Sequence, residues 1–154
     1  KQIKFLIVGG GSMLNKWIRI KKKNKLDNLI FFGHKNKYEM RNYFSVADFM
    51  ILTLKDRKIF NNTVPNKLIN YLFLGKPIIS FASGEACEIV QNANCGFVLK
   101  NKNILEAEKL IKKASKLKLN KKNFFGRNAK KYYQDHFSNK KFEFSINNIF
   151  NNLK

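Results

Sequence analysis

Two stretches of the sequence place backbone amides where an anion could be held. The first is Gly9-Gly10-Gly11-Ser12, which follows the apolar run Ile3–Val8 and precedes a helical pattern. Glycines let the backbone approach a phosphate closely, and the first amides of a helix have no intrahelical acceptor. A dinucleotide fingerprint needs a third spaced glycine, but Leu14 stands there, and the acidic residue about twenty positions on is missing. NAD-type binding is therefore disfavoured, and a simple tight turn competes with phosphate binding as the reason for the glycines. The second stretch is Thr63-Val64-Pro65-Asn66-Lys67, a polar loop running into a helix opened by Pro65. The positive end of that helix suits a diphosphate. Lys67 in the first turn opposes the helix dipole unless an anion sits beside it; the competing reading is a solvated lysine.

Other reactive side chains are few. His34 lies in a loop suited to a base or sugar contact, whereas His136, beside Phe137 in a helical segment, reads as structural. Asp27, Asp48 and Asp56 are isolated, and Asp48, at the opening of a strand, reads as a cap. No Ser-His-Asp set or carboxylate pair for hydrolysis stands out, so no catalytic residue is assigned. Cys87 and Cys95 lie among apolar neighbours without a second pair at metal-ligand spacing. They are expected to be buried and reduced, which fits a cytoplasmic setting, and no metal or cofactor is expected.

These loops need elements to position them. Apolar runs predict strands at Ile3–Val8, Asn28–Phe32, Asp48–Leu54, Pro77–Phe81 and Gly96–Leu99. Between and after them, helices are predicted over Ser12–Lys25 with Ser12 as cap, Tyr38–Val46, Pro65–Leu74 stopped by Gly75, Glu85–Asn92, Asn103–Leu117, Asn123–His136 and Lys140–Leu153. Alternating strands and helices call for an α/β fold: a Rossmann-like parallel sheet with helices on both faces, and all five strands are expected in it. Ligands of such sheets bind at the carboxyl ends of the strands. The loops Gly9–Ser12, Gly33–Lys37, Lys55–Val64 and Ala82–Glu85 all fall there.

Composition sets the partners. The 154 residues carry a formal net charge of +21, with 15 Phe. So many aromatics argue for a packed core rather than a disordered basic tail. The charge implies attraction to phosphates, nucleic acid or an anionic membrane face, against the alternative that lysines simply solvate the surface. Lys21–Lys25, Lys112–Lys122 and Lys130–Lys131 are the basic tracts, the last followed by Tyr132 and Tyr133. No groove-reading or RNP-like motif accompanies them, so nucleic acid is the weaker partner. No apolar run approaches the ~20 residues of a membrane span, and no signal-peptide pattern is visible.

The ordered set KFLIVGGGS, LIFFGH, VADFMIL, TVPNKLINYLFLGKPII and SGEACEIVQNANCGFVL resembles glycosyltransferase family 4, whose members have the GT-B fold, over roughly residues 3 to 137. The resemblance implies a donor nucleotide-sugar-binding domain over 1–137, lacking its first strand and helix, with a C-terminal helix over 138–154. It implies transfer of a sugar from a nucleotide diphosphate donor, UDP-linked, to a glycan or lipid-linked acceptor without a metal. Gly10 and Gly11 would line the donor site, Gly33 and His34 would hold the base through backbone groups, and Thr63, Val64, Pro65 and Lys67 would hold the diphosphate. There the helix N-terminus would stabilise the leaving group as charge develops. Asn70 stands where the family has the glutamate that binds the ribose hydroxyls, and Asn62 stands where it has the glutamate that contacts the donor sugar. Both departures bear on ribose affinity and turnover. The first residue is Lys1, and a longer chain with an N-terminal acceptor domain is expected; without that domain turnover is expected to be absent. A cytoplasmic position on the inner membrane face suits lipid-linked acceptors. The alternatives are a UDP-sugar epimerase of the same fold and a basic nucleic-acid-binding module.

Overall fold

The computed structural model of the chain describes residues 3–55, 61–100 and 103–144. In chain order the elements are β1 (Phe5–Ile7), α1 (Leu14–Lys23), β2 (Leu29–Phe31), α2 (Lys37–Val46), β3 (Met50–Leu52), α3 (Asn66–Phe73), β4 (Ile78–Ser80), α4 (Glu85–Asn92), β5 (Gly96–Val98), α5 (Ile104–Ser115) and α6 (Leu119–His136). Residues 139–144 are also helical. Asp56 and the remainder of the expected C-terminal helix lie outside the described residues.

All strand pairs are parallel, as the alternation of strands and helices requires. They do not form one sheet. β1 pairs with β2, and β3, β4 and β5 pair in that order in a second sheet. An apolar run marks a strand but not its neighbour, and in place of the expected single five-stranded sheet the strands pair in two parallel sheets. The strands are also shorter than their apolar runs, at three residues each. The chain divides into two compact units at the same point, Lys1–Ala47 and Asp48–Lys154.

The core belongs to the second unit. Leu52, Leu68, Leu72, Ile78, Val90, Cys87 and Cys95 are fully buried there, and β4, the middle strand, is buried along its length. Phe97 stands between Phe49 (6.2 Å) and Phe125 (5.5 Å), joining β5 to α6. In the first unit no described residue is fully buried.

Helix ends show what the local sequence controls. At the end of α3 the Gly75 amide reaches Leu72 O and the Lys76 amide reaches Tyr71 O, with Gly75 at φ +63°. This is a Schellman termination, and glycine suits its left-handed position. The same pattern ends α1 with Lys25 (φ 51°) and α4 with Asn94 (φ 44°) in that position. At the start of α1 the expectation fails: the helix begins at Leu14, Met13 is its N-cap, and no side chain caps it, so Ser12 is one residue too early. α6 begins four residues before the expected Asn123. Asp48 does not cap a helix; its carboxylate pairs with Lys122 Nζ at 2.6 Å, 74 residues away.

Cys87 and Cys95 are both free and buried. Burial pushes the Cys95 thiol up to about 12 and raises Cys87 and Tyr71 as well. Each group is therefore favoured in its protonated form by folding. Stability from these groups is present below their ordinary values, near 9 for cysteine, and declines as pH rises from there towards the folded values. The urea midpoint is accordingly expected to fall between about pH 8 and pH 10. Substituting Cys95→Ser should weaken that alkaline decline.

Candidate functional site

The first set of candidate residues lies at the carboxyl ends of β1 and β2. The ladder runs past the strands: the Phe32 amide donates to Ile7 O (2.9 Å) and the Gly9 amide to Gly33 O (2.7 Å). That second bond ties the Gly9–Gly11 loop to the Gly33–His34 loop. Gly9 and Gly11 (both φ +132°) and Gly33 (φ +67°) hold conformations that favour glycine. A Cβ placed on any of them, or on Gly10, would meet nothing within 4 Å. Backbone conformation, not crowding, thus requires glycine at Gly9, Gly11 and Gly33, and the space over the loop is open. His34 is exposed beside it. The next residues are occupied with ordering α2. Asn36 and Glu39 form a reciprocal capping box, and Lys35 pairs with Glu39 at 3.3 Å. The Asn36 amide, then Lys35, lower the Glu39 carboxyl, and Glu39 raises Lys35.

The second set lies where the chain leaves β3 and enters α3. Leu68, Tyr71 and Leu72 bury one side of α3. Lys67 and Asn70, three apart, are therefore on its other side, and both are exposed. Pro65 is the N-cap rather than the first helical residue; its carbonyl accepts from Leu68 (2.8 Å) and Ile69 (3.4 Å). A proline there has no amide to lose, and no side chain caps this end. The opening of α3 therefore keeps its free amides and its positive dipole end. Asn62 and Thr63 are exposed just before it, and Val64 and Pro65 are half-buried.

A strap not foreseen in the sequence fixes this second set. Ser83 Oγ donates to Asn61 Oδ1 at 2.9 Å, and a Cβ on Gly84 would fall 2.2 Å from the Asn61 carbonyl oxygen. The loop between β4 and α4 thus lies directly against Asn61, just ahead of the stretch that feeds α3. Gly84, at φ +67°, is also the N-cap of α4, which opens with Glu85. Ser83 and Asn61 are 22 residues apart, and neither has a local pattern that would pair them. The structure thus assembles the expected residues as two sets, Gly10, Gly11, Gly33 and His34 in the first unit and Asn62 to Lys67 with Asn70 in the second.

A few of the cations elsewhere have a structural partner. Lys112 pairs with Glu108, Lys113 lies 5.7 Å from the centre of the Phe97 ring, and Lys121 lies 4.3 Å from that of Phe124. Tyr132 stacks on His136 (4.1 Å), in line with a structural His136, and Tyr133 meets Phe73 edge-on (5.1 Å). Among the described residues, no cluster of three His, Cys, Asp or Glu could hold a metal, and no helix is long and apolar enough to cross a membrane.

Comparison with known proteins gives the same direction. A similar solved structure is the crystal structure of WaaG, a glycosyltransferase involved in lipopolysaccharide biosynthesis. The TM-score is 0.67 at 18% identity, over 87% of this chain and 34% of that one, so the likeness shows the fold and the chain spans about a third of that structure. No curated protein sequence matches. The family model described as "Glycosyl transferases group 1" matches residues 1–132. With most of its length matched by that model, the chain belongs to the glycosyl transferases group 1 family.

Proposed function

We propose that this chain is the C-terminal, donor-binding half of a family 4 glycosyltransferase of GT-B fold. It would bind a UDP-linked sugar for transfer to a glycan or lipid-linked acceptor on the cytoplasmic side of a membrane. The donor-binding domain would take in residues 1–137, followed by the C-terminal helix expected over 138–154. The observation that carries the reading is the uncapped opening of α3, with Lys67 and Asn70 on one exposed face beside Thr63. Free amides and the helix dipole there suit a diphosphate leaving group, whose charge grows as the sugar departs. Gly10, Gly11, Gly33 and His34 would serve the donor and its base. The base that activates the acceptor would come from an N-terminal domain, and neither a metal nor another cofactor enters the reading. Family membership favours transfer over epimerisation. The engagement of Tyr132 and Tyr133 within the fold speaks against a base-stacking surface for nucleic acid.

Asn70 gives a direct test. A glutamate would accept charge-assisted bonds from the ribose hydroxyls, worth about 1.5–3 kcal/mol against roughly 0.5–1.5 for neutral ones. Asn70→Glu should tighten UDP binding by about 1 kcal/mol and Asn70→Leu should weaken it by a similar amount in calorimetric titration. UDP binding unmoved by both changes would remove Asn70 from the ribose site.

A further inference from the structure

Residues 1–26 hold eight lysines and arginines and no carboxylate; the first is Asp27. Most of that charge is on α1, where Lys16, Arg19, Lys22 and Lys23 are all exposed. Among the described residues, no ion pair or ring contact engages any of the four. α1 itself has no fully buried residue. Leu14, Ile18 and Ile20 are half-buried, but Met13 (48% exposed) and Trp17 (49%) are open to solvent. At about 100° of rotation per residue, Met13, Trp17 and Ile20 form one strip bordered by Lys16 and Lys23.

An exposed tryptophan and methionine beside unpaired cations have two halves to satisfy, one apolar and one anionic. A bilayer interface with acidic headgroups offers both at once: acyl boundary for the ring and thioether, phosphates for the cations. A nucleic acid would meet the cations and could stack a base on Trp17, but it offers nothing to Met13 and Ile20. We propose that α1 is an interfacial helix that docks this protein on an anionic membrane, with Trp17 and Met13 entering the headgroup boundary and Lys16, Arg19 and Lys23 lying on the acidic headgroups. The proposal is independent of the donor-site reading.

Trp17 is the only tryptophan, so its emission reports on this helix alone. The 154-residue chain should sediment with vesicles of phosphatidylglycerol and phosphatidylcholine, and its emission should shift to the blue. Pure phosphatidylcholine should do neither. Binding should fade between 0.1 and 1 M salt, as the Debye length falls from ~10 to ~3 Å. Trp17→Ala should lower partitioning roughly tenfold, and K16Q/R19Q/K23Q together should lower it at least as far, with circular dichroism unchanged. Sedimentation with unmoved Trp17 emission would overturn the proposal by showing diffuse attraction elsewhere. Absence of vesicle binding would overturn it too, and so would a Trp17 response to DNA but not to vesicles. If Trp17→Ala fails to fold, emission of the unaltered protein decides.

Discussion

Gly96→Ala is expected to destabilise the second unit by about 3 kcal/mol or more, an effect at the large end for one methyl group. Gly96 is paired with Ile78 in the β4–β5 ladder, and a Cβ there would lie 1.8 Å from the Ile78 carbonyl oxygen and 2.7 Å from its carbon. Those are backbone atoms of the most buried strand, so relief requires separating β5 from β4. Ile78 and Cys95 are fully buried beside the clash, and the Ile78 amide donates to Cys95 O at 3.0 Å. Thermal melting should show the loss as a fall of roughly 10 °C or more. Gly126→Ala should act in the same direction at the α3–α6 contact, where its Cβ would lie 2.4 Å from Gly75 O. A Gly96→Ala melting point within a degree or two of the parent would contradict this packing.

The second large effect concerns Lys67, where structure and function predict opposite signs. Lys67 is in the first turn of α3, an end that prefers negative charge. Lys67→Glu should therefore leave stability unchanged or raise it by about 0.3–1 kcal/mol. If Lys67 contacts the diphosphate, the same change removes a charge-assisted bond of about 1.5–3 kcal/mol, a tenfold to hundredfold loss of UDP affinity. Repulsion from the new carboxylate adds to it. A variant that melts no lower but binds UDP far more weakly is the signature of a binding lysine. One with higher stability and unchanged UDP affinity is the signature of a solvated lysine.

The fold was readable where the information is local. Each apolar run became a strand, and Gly75 ended α3 through the left-handed position it was expected to fill. Lys25 and Asn94 hold the same position at other helix ends, where residue type gives less notice. The Asn36–Glu39 capping box was present in the spacing, but the reading of that helix from its apolar face did not use it. Strand partnership was not readable, because β1 and β3 differ in neighbour and not in composition. Partners distant in sequence were also hidden: Asp48 with Lys122, and Ser83 with Asn61. The strap from Ser83 and Gly84 therefore adds to the site something that motif spacing could not supply. The glycine loops and the α3 opening stood out in the sequence because glycine, proline and a misplaced lysine each have a physical meaning by themselves.

In the proposed function the opening of α3 holds the diphosphate of the donor nucleotide. Backbone amide shifts of the labelled chain, followed by NMR during titration with UDP, test it most directly. Saturable changes are expected at Thr63, Val64, Asn66 and Lys67, and smaller ones from uridine, which lacks the diphosphate. Changes confined to the lysines of α1, α5 and α6, equal for UDP and inorganic phosphate, would contradict it.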